Sequence, residues 1–275
     1  MKIRITTLVE NTLGEHLALK NEHGLSFYIE TESHKILFDT GQSDSFMYNA
    51  RQLKIDLSNL DYVVLSHGHY DHSGGLEPLC ELTRDFKLII GSGFFDEKYG
   101  VTGNSYEYLG NRFDEPFLKE KGLSYQFVRK DMSEILPGVY VITNFPRINP
   151  DEVISPRFKI LQNGEFKQDL FNDEVLIALD TPRGIVVLLG CSHPGVRNML
   201  DHVRTLLRKP VYAVVGGTHL VEASNVSMDK AVDYLTNKDM GIIGVSHCTG
   251  ETAMSKLGVA EDRYFQNSTG KSLII

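Results

Sequence analysis

The sequence predicts a mixed α/β protein with the architecture of a four-layered αββα sandwich. Apolar strands occur in both halves of the chain, and in the second half three successive strands each lead through a glycine-containing turn into a helical pattern. Two such halves, each a sheet covered on its outer face by helices, give the sandwich and place a functional site at the edge between the sheets.

The first half is predicted to contain short strands and one amphipathic helix. Apolar patterning predicts strands over Ile3 to Val9, Leu25 to Glu30, Lys35 to Asp39 and Asp61 to Leu65. Between the last two strands, Ser43 to Leu53 is predicted to form a helix with Ser43 as its N-cap, because its apolar residues are spaced for one buried face.

The second half is predicted to repeat one strand–turn–helix unit three times. The strands are predicted over Gly184 to Leu189, Val211 to Val215 and Gly241 to Val245. The helices that follow them are predicted around Val196 to Leu207, Met228 to Leu235 and Thr252 to Leu257. Each unit places one histidine at the carboxyl end of its strand: His193, His219 and His247.

Length and composition predict a single soluble catalytic domain over residues 1–275, whose hydrophobic fraction of 41% suffices for a substantial core. The formal net charge of −8 argues against a broad nucleic-acid surface. No apolar stretch approaches the roughly 20 residues of a membrane span, and the N-terminal residues lack the long apolar stretch of a signal peptide. The three cysteines are widely spaced, which gives no disulfide framework. We therefore expect a cytoplasmic protein with a small-molecule substrate, no nucleic-acid or membrane partner, and an oligomeric state left open.

The run from Ser66 to Gly75 carries the strongest functional signal. It reads SHGHYDHSGG and places three histidines and an aspartate, His67, His69, Asp71 and His72, on the turn after the Asp61 to Leu65 strand. Neutral imidazole is a ligand for zinc, iron, cobalt or manganese, and a nearby carboxylate lowers the positive charge of such a site. The run therefore predicts a metal centre. Four other histidines are interpreted as surface or packing residues: His16, His23, His34 and His202.

This run resembles the signature of the metallo-β-lactamase fold hydrolases, and Lys35 to Gly41 resembles the strand of that superfamily that ends on an aspartate near the ligand loop. Three further motifs follow in order: Gly190 to Gly195 (GCSHPG), Gly216 to Leu220 (GGTHL) and Ser246 to Gly250 (SHCTG). Together they resemble one branch of the superfamily, that of dihydropterin-methyl-(ribofuranosyl)aminobenzene phosphate synthase and of metal-dependent hydrolases of β-lactamase superfamily type II.

The resemblance implies a metal site in which His67 and His69 bind one divalent ion. Asp71 and His72 would face a second ion, and His247 would complete that second set. We therefore expect His247 to converge with the histidine turn on one site.

The first metal site needs a third ligand, for which His193 is the candidate. The superfamily pattern also has an aspartate that bridges both metals, and no strand end between His193 and His247 carries one. One or two divalent transition metal ions are therefore expected, with zinc favoured and iron or manganese as alternatives. Asp71 is also the candidate catalytic residue, since it can orient or deprotonate water if the second ion is missing.

Three residues are candidates for contact with metal or substrate. His219 follows two glycines, and the roles of ligand, substrate contact and structural hydrogen bonder stay open for it. A thiolate of Cys191 would be a strong zinc or iron ligand, but buried cysteines usually pack, and we favour packing for Cys191 and Cys248. Asp39 is expected to orient a ligating histidine rather than bind metal.

The ligand set predicts metal-dependent hydrolysis of a small-molecule ester, lactone or phosphodiester. A metal with an open position lowers the pKa of its bound water from 15.7 toward roughly 7, so that hydroxide is the nucleophile. One alternative is a pterin-type synthase that joins a dihydropterin to a ribofuranosyl-aminobenzene phosphate. A second is a metal-dependent ligand sensor without turnover. An oxygen-reducing di-iron enzyme fits less well, because such relatives carry a glutamate where this chain has His69.

Substrate choice is expected to depend on an insertion over about residues 93–172, where the resemblance is weakest. Its first part contains seven aromatic residues between Phe94 and Phe117. They predict either a wall for a flat, pterin-like or anionic substrate, with Phe94 and Tyr106 as contacts, or the core of the insertion itself. Arg147 is a candidate to bind a phosphate or carboxylate. We expect the segment to cover the metal cleft as a lid.

Overall fold

The computed structural model describes residues 3–237 and 239–275 and contains two compact units. Unit 1 comprises the chain up to Phe127 together with Pro156–Asp169 and Ser268–Ile275. Unit 2 comprises Val128–Ser155 and Leu170–Asn267. That the whole chain forms one domain with a lid stays a prediction.

The secondary structure alternates strands and helices, as the sequence predicts. The strands are β1 (Arg4–Val9), β2 (Ser26–Glu30), β3 (Lys35–Phe38), β4 (Tyr62–Val64), β5 (Lys87–Gly91), β6 (Glu97–Thr102), β7 (Ser105–Tyr108), β8 (Ser124–Val128), β9 (Met132–Leu136), β10 (Val139–Ile142), β11 (Phe158–Gln162), β12 (Glu165–Gln168), β13 (Leu176–Thr181), β14 (Gly184–Leu189), β15 (Val211–Gly217), β16 (Ile242–Ser246) and β17 (Ser272–Ile274). The α-helices are α1 (Ser45–Gln52), α2 (Tyr70–Ser73), α3 (Leu76–Leu82), α4 (Glu115–Glu120), α5 (Val196–Leu207), α6 (Asn225–Leu235) and α7 (Glu251–Leu257).

Unit 1 is built on a seven-stranded sheet in the order β17-β1-β2-β3-β4-β5-β8. The strands β3, β4 and β5 run parallel, so their carboxyl ends meet at one edge. Helices α1 and α3 pack apolar residues such as Phe46 and Leu79 against this sheet. A smaller four-stranded sheet, in the order β12-β11-β6-β7, also belongs to unit 1.

Unit 2 is built on a six-stranded sheet in the order β16-β15-β14-β13-β10-β9. Its strands β14, β15 and β16 are parallel neighbours, and helices α5, α6 and α7 connect or follow them. Apolar residues of these helices, including Leu200, Leu235 and Leu257, share one buried cluster with the sheet. The carboxyl ends of the three parallel strands therefore lie side by side at one edge.

The sequence-based boundaries agree closely with the structure, with one difference at the start of a helix. Helix α1 begins at Ser45 with Asp44 as N-cap, so the prediction of Ser43 as N-cap is wrong; the Ser43 hydroxyl instead accepts from the Ser45 backbone N–H and donates to Glu22. The strands of residues 93–172 belong to three sheets, and the insertion over these residues stays a prediction. Within residues 3–237 and 239–275, no helix combines the length and apolar character that crossing a membrane requires.

Candidate metal centre

Asp39 organises the candidate site of unit 1 from the end of β3. Its carboxylate is fully buried and accepts hydrogen bonds from the backbone N–H of Ser66 at 2.6 Å and from the Ser66 hydroxyl at 2.8 Å. It also accepts from Nδ1 of His72 at 2.7 Å. Because β3 and β4 are parallel neighbours, the residues after them are adjacent, which is why Asp39 reaches the histidine turn.

These hydrogen bonds fix which nitrogen of each histidine carries a hydrogen. The Ser66 hydroxyl donates to Asp39, so it accepts from Nδ1 of His67, 2.9 Å away. Nδ1 of both His67 and His72 is therefore a donor, and both rings present the Nε2 lone pair on the side away from Asp39. A histidine whose other nitrogen is held by a hydrogen-bonded partner is in the form that ligates metals.

The donor atoms of the turn lie close together. Nε2 of His67 is 3.1 Å from Nδ1 of His69, and Nε2 of His72 is 3.5 Å from Oδ2 of Asp71. Burial, followed by the neighbouring His72 and His69, holds the pKa of His67 well below its ordinary value, so this ring is neutral near pH 7. Three imidazoles and one carboxylate in one buried turn fit a borderline divalent ion such as zinc or iron.

The segment after β5 holds the histidine turn in place. Gly68 has no room for a side chain, because a Cβ there would lie 2.2 Å from the carbonyl oxygen of Phe94. The Ser73 hydroxyl donates to Oδ1 of Asn111 at 2.7 Å, and Asn111 donates to the same Phe94 carbonyl at 2.6 Å. The backbone N–H of Tyr70 donates to a carbonyl of the same segment at 2.9 Å.

A buried ion pair adjoins the turn, and sequence patterning missed it. Lys98 of β6 is 1% exposed, and its Nζ lies 2.7 Å from Oδ2 of Asp169. Its aliphatic chain approaches Gly68, and the ring of Phe158 on β11 lies 5.8 Å from the ring of His69. The four-stranded sheet therefore contacts the histidine turn directly.

His23 is a second residue that sequence patterning missed. Its Nε2 lies 3.3 Å from Oδ2 of Asp71, and this hydrogen bond raises the pKa of His23. The interpretation of His23 as an ordinary surface histidine is wrong in this respect. The contact arises because the backbone N–H of Leu25 bonds to the Asp71 carbonyl, a long-range pairing that no local pattern signals.

The candidate site of unit 2 lies at the ends of β14, β15 and β16. The rings of His193 and His219 are 4.1 Å apart, and Phe171 stacks on His193 at 3.7 Å with an interplanar angle of 10°. His247 belongs to a group with Cys191 and Cys248 whose potential ligand atoms all lie within 4.8 Å of one another.

A buried glutamate holds the turn that carries His193. Glu174 is fully buried, and its two carboxylate oxygens accept from the backbone N–H groups of Ser192 at 2.5 Å and His193 at 2.9 Å. The sequence analysis did not identify Glu174, because it precedes β13 and meets the turn only through the sheet.

Four side-chain-bearing residues at these strand ends adopt left-handed backbone conformations. Asp39, Ser192, His219 and His247 have φ values of 59°, 63°, 49° and 57°. Such conformations are uncommon outside glycine and asparagine and collect at functional sites.

The remaining candidates have structural surroundings of their own. Phe94 has no exposed surface and packs in the core of unit 1, so the core interpretation describes this ring. Tyr106 is 56% exposed on the edge strand β7 and stacks on Phe166. Arg147 is exposed and donates to the carbonyl of Leu170 at 2.6 Å. It stays a prediction that Tyr106 and Arg147 contact substrate. It also stays a prediction that His193 and His247 share one metal site with the histidine turn.

Comparison with known proteins defines the class. The family model of the metallo-β-lactamase superfamily matches residues 20–164, which include the whole histidine turn. The chain belongs to the metallo-β-lactamase superfamily, and the predicted fold class is confirmed.

Two curated proteins and one solved structure are similar to this chain over most of its length. The chain is 30% identical over 260 residues to the 7,8-dihydropterin-6-methyl-4-(β-D-ribofuranosyl)-aminobenzene-5'-phosphate synthase of Methanocaldococcus jannaschii, covering 90% of this chain and 88% of that protein. A second M. jannaschii protein, of uncharacterised function, is 32% identical over 254 residues. The match covers 92% of this chain and 93% of that protein. Among solved structures, Tm1679, described as a metal-dependent hydrolase of the β-lactamase superfamily, has a TM-score of 0.85 at 30% identity and covers 99% of both chains.

Proposed function

We propose that this protein is a metal-dependent hydrolase that uses water to cleave a small-molecule ester, lactone or phosphodiester. The observation that carries the proposal is the histidine turn, in which Asp39 fixes His67 and His72 with their Nε2 lone pairs directed away from it. We propose His67, His69, Asp71 and His72 as metal ligands, with His193 and His247 completing the set.

The metal, when bound, would supply the Lewis acidity that makes water a nucleophile near neutral pH. The protein residues supply orientation. Asp39 keeps the two imidazoles in one tautomer, and the burial that holds the pKa of His67 low keeps its lone pair available. Asp71, bonded to His23 through Oδ2, is proposed to orient the attacking water or to accept its proton.

A synthase of the pterin type is the second candidate, and the 30% identity to the M. jannaschii enzyme favours it. In that reaction the same ligands would hold a metal that activates a leaving group or binds phosphate. The superfamily and this named relative both support an enzyme rather than a ligand sensor without turnover.

Metal analysis of variants tests the site. His69→Ala should lower both bound metal and turnover, because it removes one imidazole from the first ion. His16→Ala is the matched control, since this histidine is exposed in a loop outside the turn, and it should change neither. Unchanged metal content in a His67→Ala/His69→Ala double variant would contradict the proposal.

A substrate panel separates the two candidate reactions. Release of product from a phosphodiester, lactone or ester in water would support the hydrolase. Consumption of a dihydropterin only when a ribofuranosyl-aminobenzene phosphate is present would support the synthase. Absence of turnover on every substrate by protein with full metal content would favour the sensor.

The substrate is proposed to contact the aromatic face that includes Tyr106, under a lid formed from part of residues 93–172. The 56% exposure of Tyr106 supports this role, because its ring offers an accessible face. Tyr106→Ala should raise KM and leave metal content unchanged. An unchanged KM on the identified substrate would remove Tyr106 from the binding site.

A further inference from the structure

Two cysteines lie beside His247 at the edge of the six-stranded sheet. Cys191 follows β14, and Cys248 follows β16 directly after His247. Because β14, β15 and β16 are parallel neighbours, their carboxyl ends bring both thiols to the same place. One potential ligand atom from each of Cys191, His247 and Cys248 lies within 4.8 Å of the other two.

The surrounding backbone positions the sulfur of Cys248. The backbone N–H of His219 donates to Sγ at 3.3 Å, and the thiol itself donates to the Cys191 carbonyl at 3.4 Å. Gly217 leaves the space that the sulfur occupies, because a Cβ there would lie 2.7 Å from Sγ. A backbone N–H directed at sulfur is the kind of outer contact that supports a ligand atom at a metal site.

We infer that Cys191 and Cys248 act with His247 as a thiolate-rich ligand set for a borderline or soft divalent ion such as zinc, iron or cobalt. Each thiol would release its proton to solvent when the ion binds. A Zn–S bond is about 2.3 Å, so two sulfurs on one tetrahedral zinc are about 3.8 Å apart, which falls within the 4.8 Å limit that holds for the three ligand atoms. The inference rests on the proposed metal centre.

This assignment also accounts for a missing feature of the sequence. The superfamily pattern places a bridging aspartate between the last two histidine ligands, and no strand end between His193 and His247 carries one, whereas Cys191 and Cys248 lie just outside that interval. Two thiolates would restore the negative charge that a carboxylate supplies. Thiolates also select against magnesium and manganese, which prefer oxygen ligands. The inference is an alternative to the packing interpretation of both cysteines.

The test is the absorption spectrum of the protein loaded with cobalt(II). Sulfur ligation gives a thiolate-to-cobalt charge-transfer band in the near ultraviolet, which nitrogen and oxygen ligands do not give. The wild-type protein should show this band. Cys191→Ser and Cys248→Ser should each lose about half of its intensity, and the double variant should lose all of it. Cys80→Ser is the control, because this cysteine is buried like Cys191 but lies in α3, outside the group that contains His247, and it should leave the band unchanged.

The outcomes separate this inference from the proposed function. If the cobalt-loaded wild-type protein lacks the band, the inference is wrong, whatever the variants show. The proposed histidine-based centre is not affected by that result. A band that persists in the double variant also overturns it. If the wild-type protein binds no cobalt at all, both the inference and the proposed function fail.

Discussion

Replacing Asp39 by asparagine should disrupt the orientation of two histidines without changing the shape of the residue. The carboxylate accepts three hydrogen bonds, from the Ser66 backbone N–H, the Ser66 hydroxyl and Nδ1 of His72. If the amide oxygen keeps the first, the amide NH2 group replaces Oδ2 and faces the other two donors. His72 must then carry its hydrogen on Nε2, the nitrogen that faces Asp71.

The expected magnitudes follow from this geometry. Loss of a residue that orients a ligand typically lowers metal affinity 10- to 100-fold, which is about 1.4 to 2.8 kcal/mol. Two lost hydrogen bonds to a charged acceptor, at about 1.5 kcal/mol each, should lower the free energy of unfolding of the metal-free protein by about 3 kcal/mol.

Zinc affinity is measured by competition with a chromophoric chelator, and the free energy of unfolding by urea titration. Asp85→Asn is the control, because this aspartate is exposed after α3, and it should change neither quantity. If Asp39→Asn binds zinc as tightly as the wild type, the carboxylate does not set the tautomer of His72, and the reasoning is refuted.

Three further changes probe the surroundings of the site. Lys98→Met should lower the free energy of unfolding by about 3 to 5 kcal/mol, because Asp169 is left buried without its cation. The double variant Lys98→Met/Asp169→Leu should recover much of this loss. An equal loss of unfolding free energy in the single and the double variant would contradict this explanation. Gly68→Ala should lower metal content, since its Cβ would meet the Phe94 carbonyl, and normal metal content would show that the turn adapts. Burial lowers the pKa of His202, so its stabilising neutral form is fully present above about pH 6.5 and stability is lost as pH falls toward the lowered pKa. His202→Phe should therefore lessen the fall of the urea midpoint between pH 7 and 5, and an unchanged pH dependence would oppose this.

Local patterning predicts the elements and the strand ends well because both depend on neighbouring residues. The strand over Gly184–Leu189 and the helix over Val196–Leu207 match the prediction residue for residue. The histidine turn was predictable for the same reason, since its donors are adjacent in sequence. A contact between Asp39 and a ligating histidine was expected, and the structure shows that this histidine is His72, 33 residues further along the chain.

The supports of the site could not be predicted, because they depend on pairings between distant segments. Lys98 and Asp169 are 71 residues apart and meet only within the four-stranded sheet. Glu174 reaches the His193 turn from the start of β13, and an isolated glutamate before a strand has no distinguishing pattern. His23 meets Asp71 through a backbone pairing that belongs to no regular strand.

The left-handed residues at the strand ends have a consequence for engineering heat resistance. Exposed Lys54 and Arg208 have the same backbone conformation, with φ of 58° and 52°, and glycine there should relieve about 1 kcal/mol each. The same change at Asp39, Ser192, His219 or His247 would also relax the backbone, but it would delete a side chain that binds a neighbour or is a candidate ligand. A library screened for melting temperature alone would therefore accept glycine at Lys54 and Arg208 and reject it at Asp39, where the lost hydrogen bonds outweigh the relief. At His219 and His247 the same screen would give no warning that a candidate ligand had been deleted.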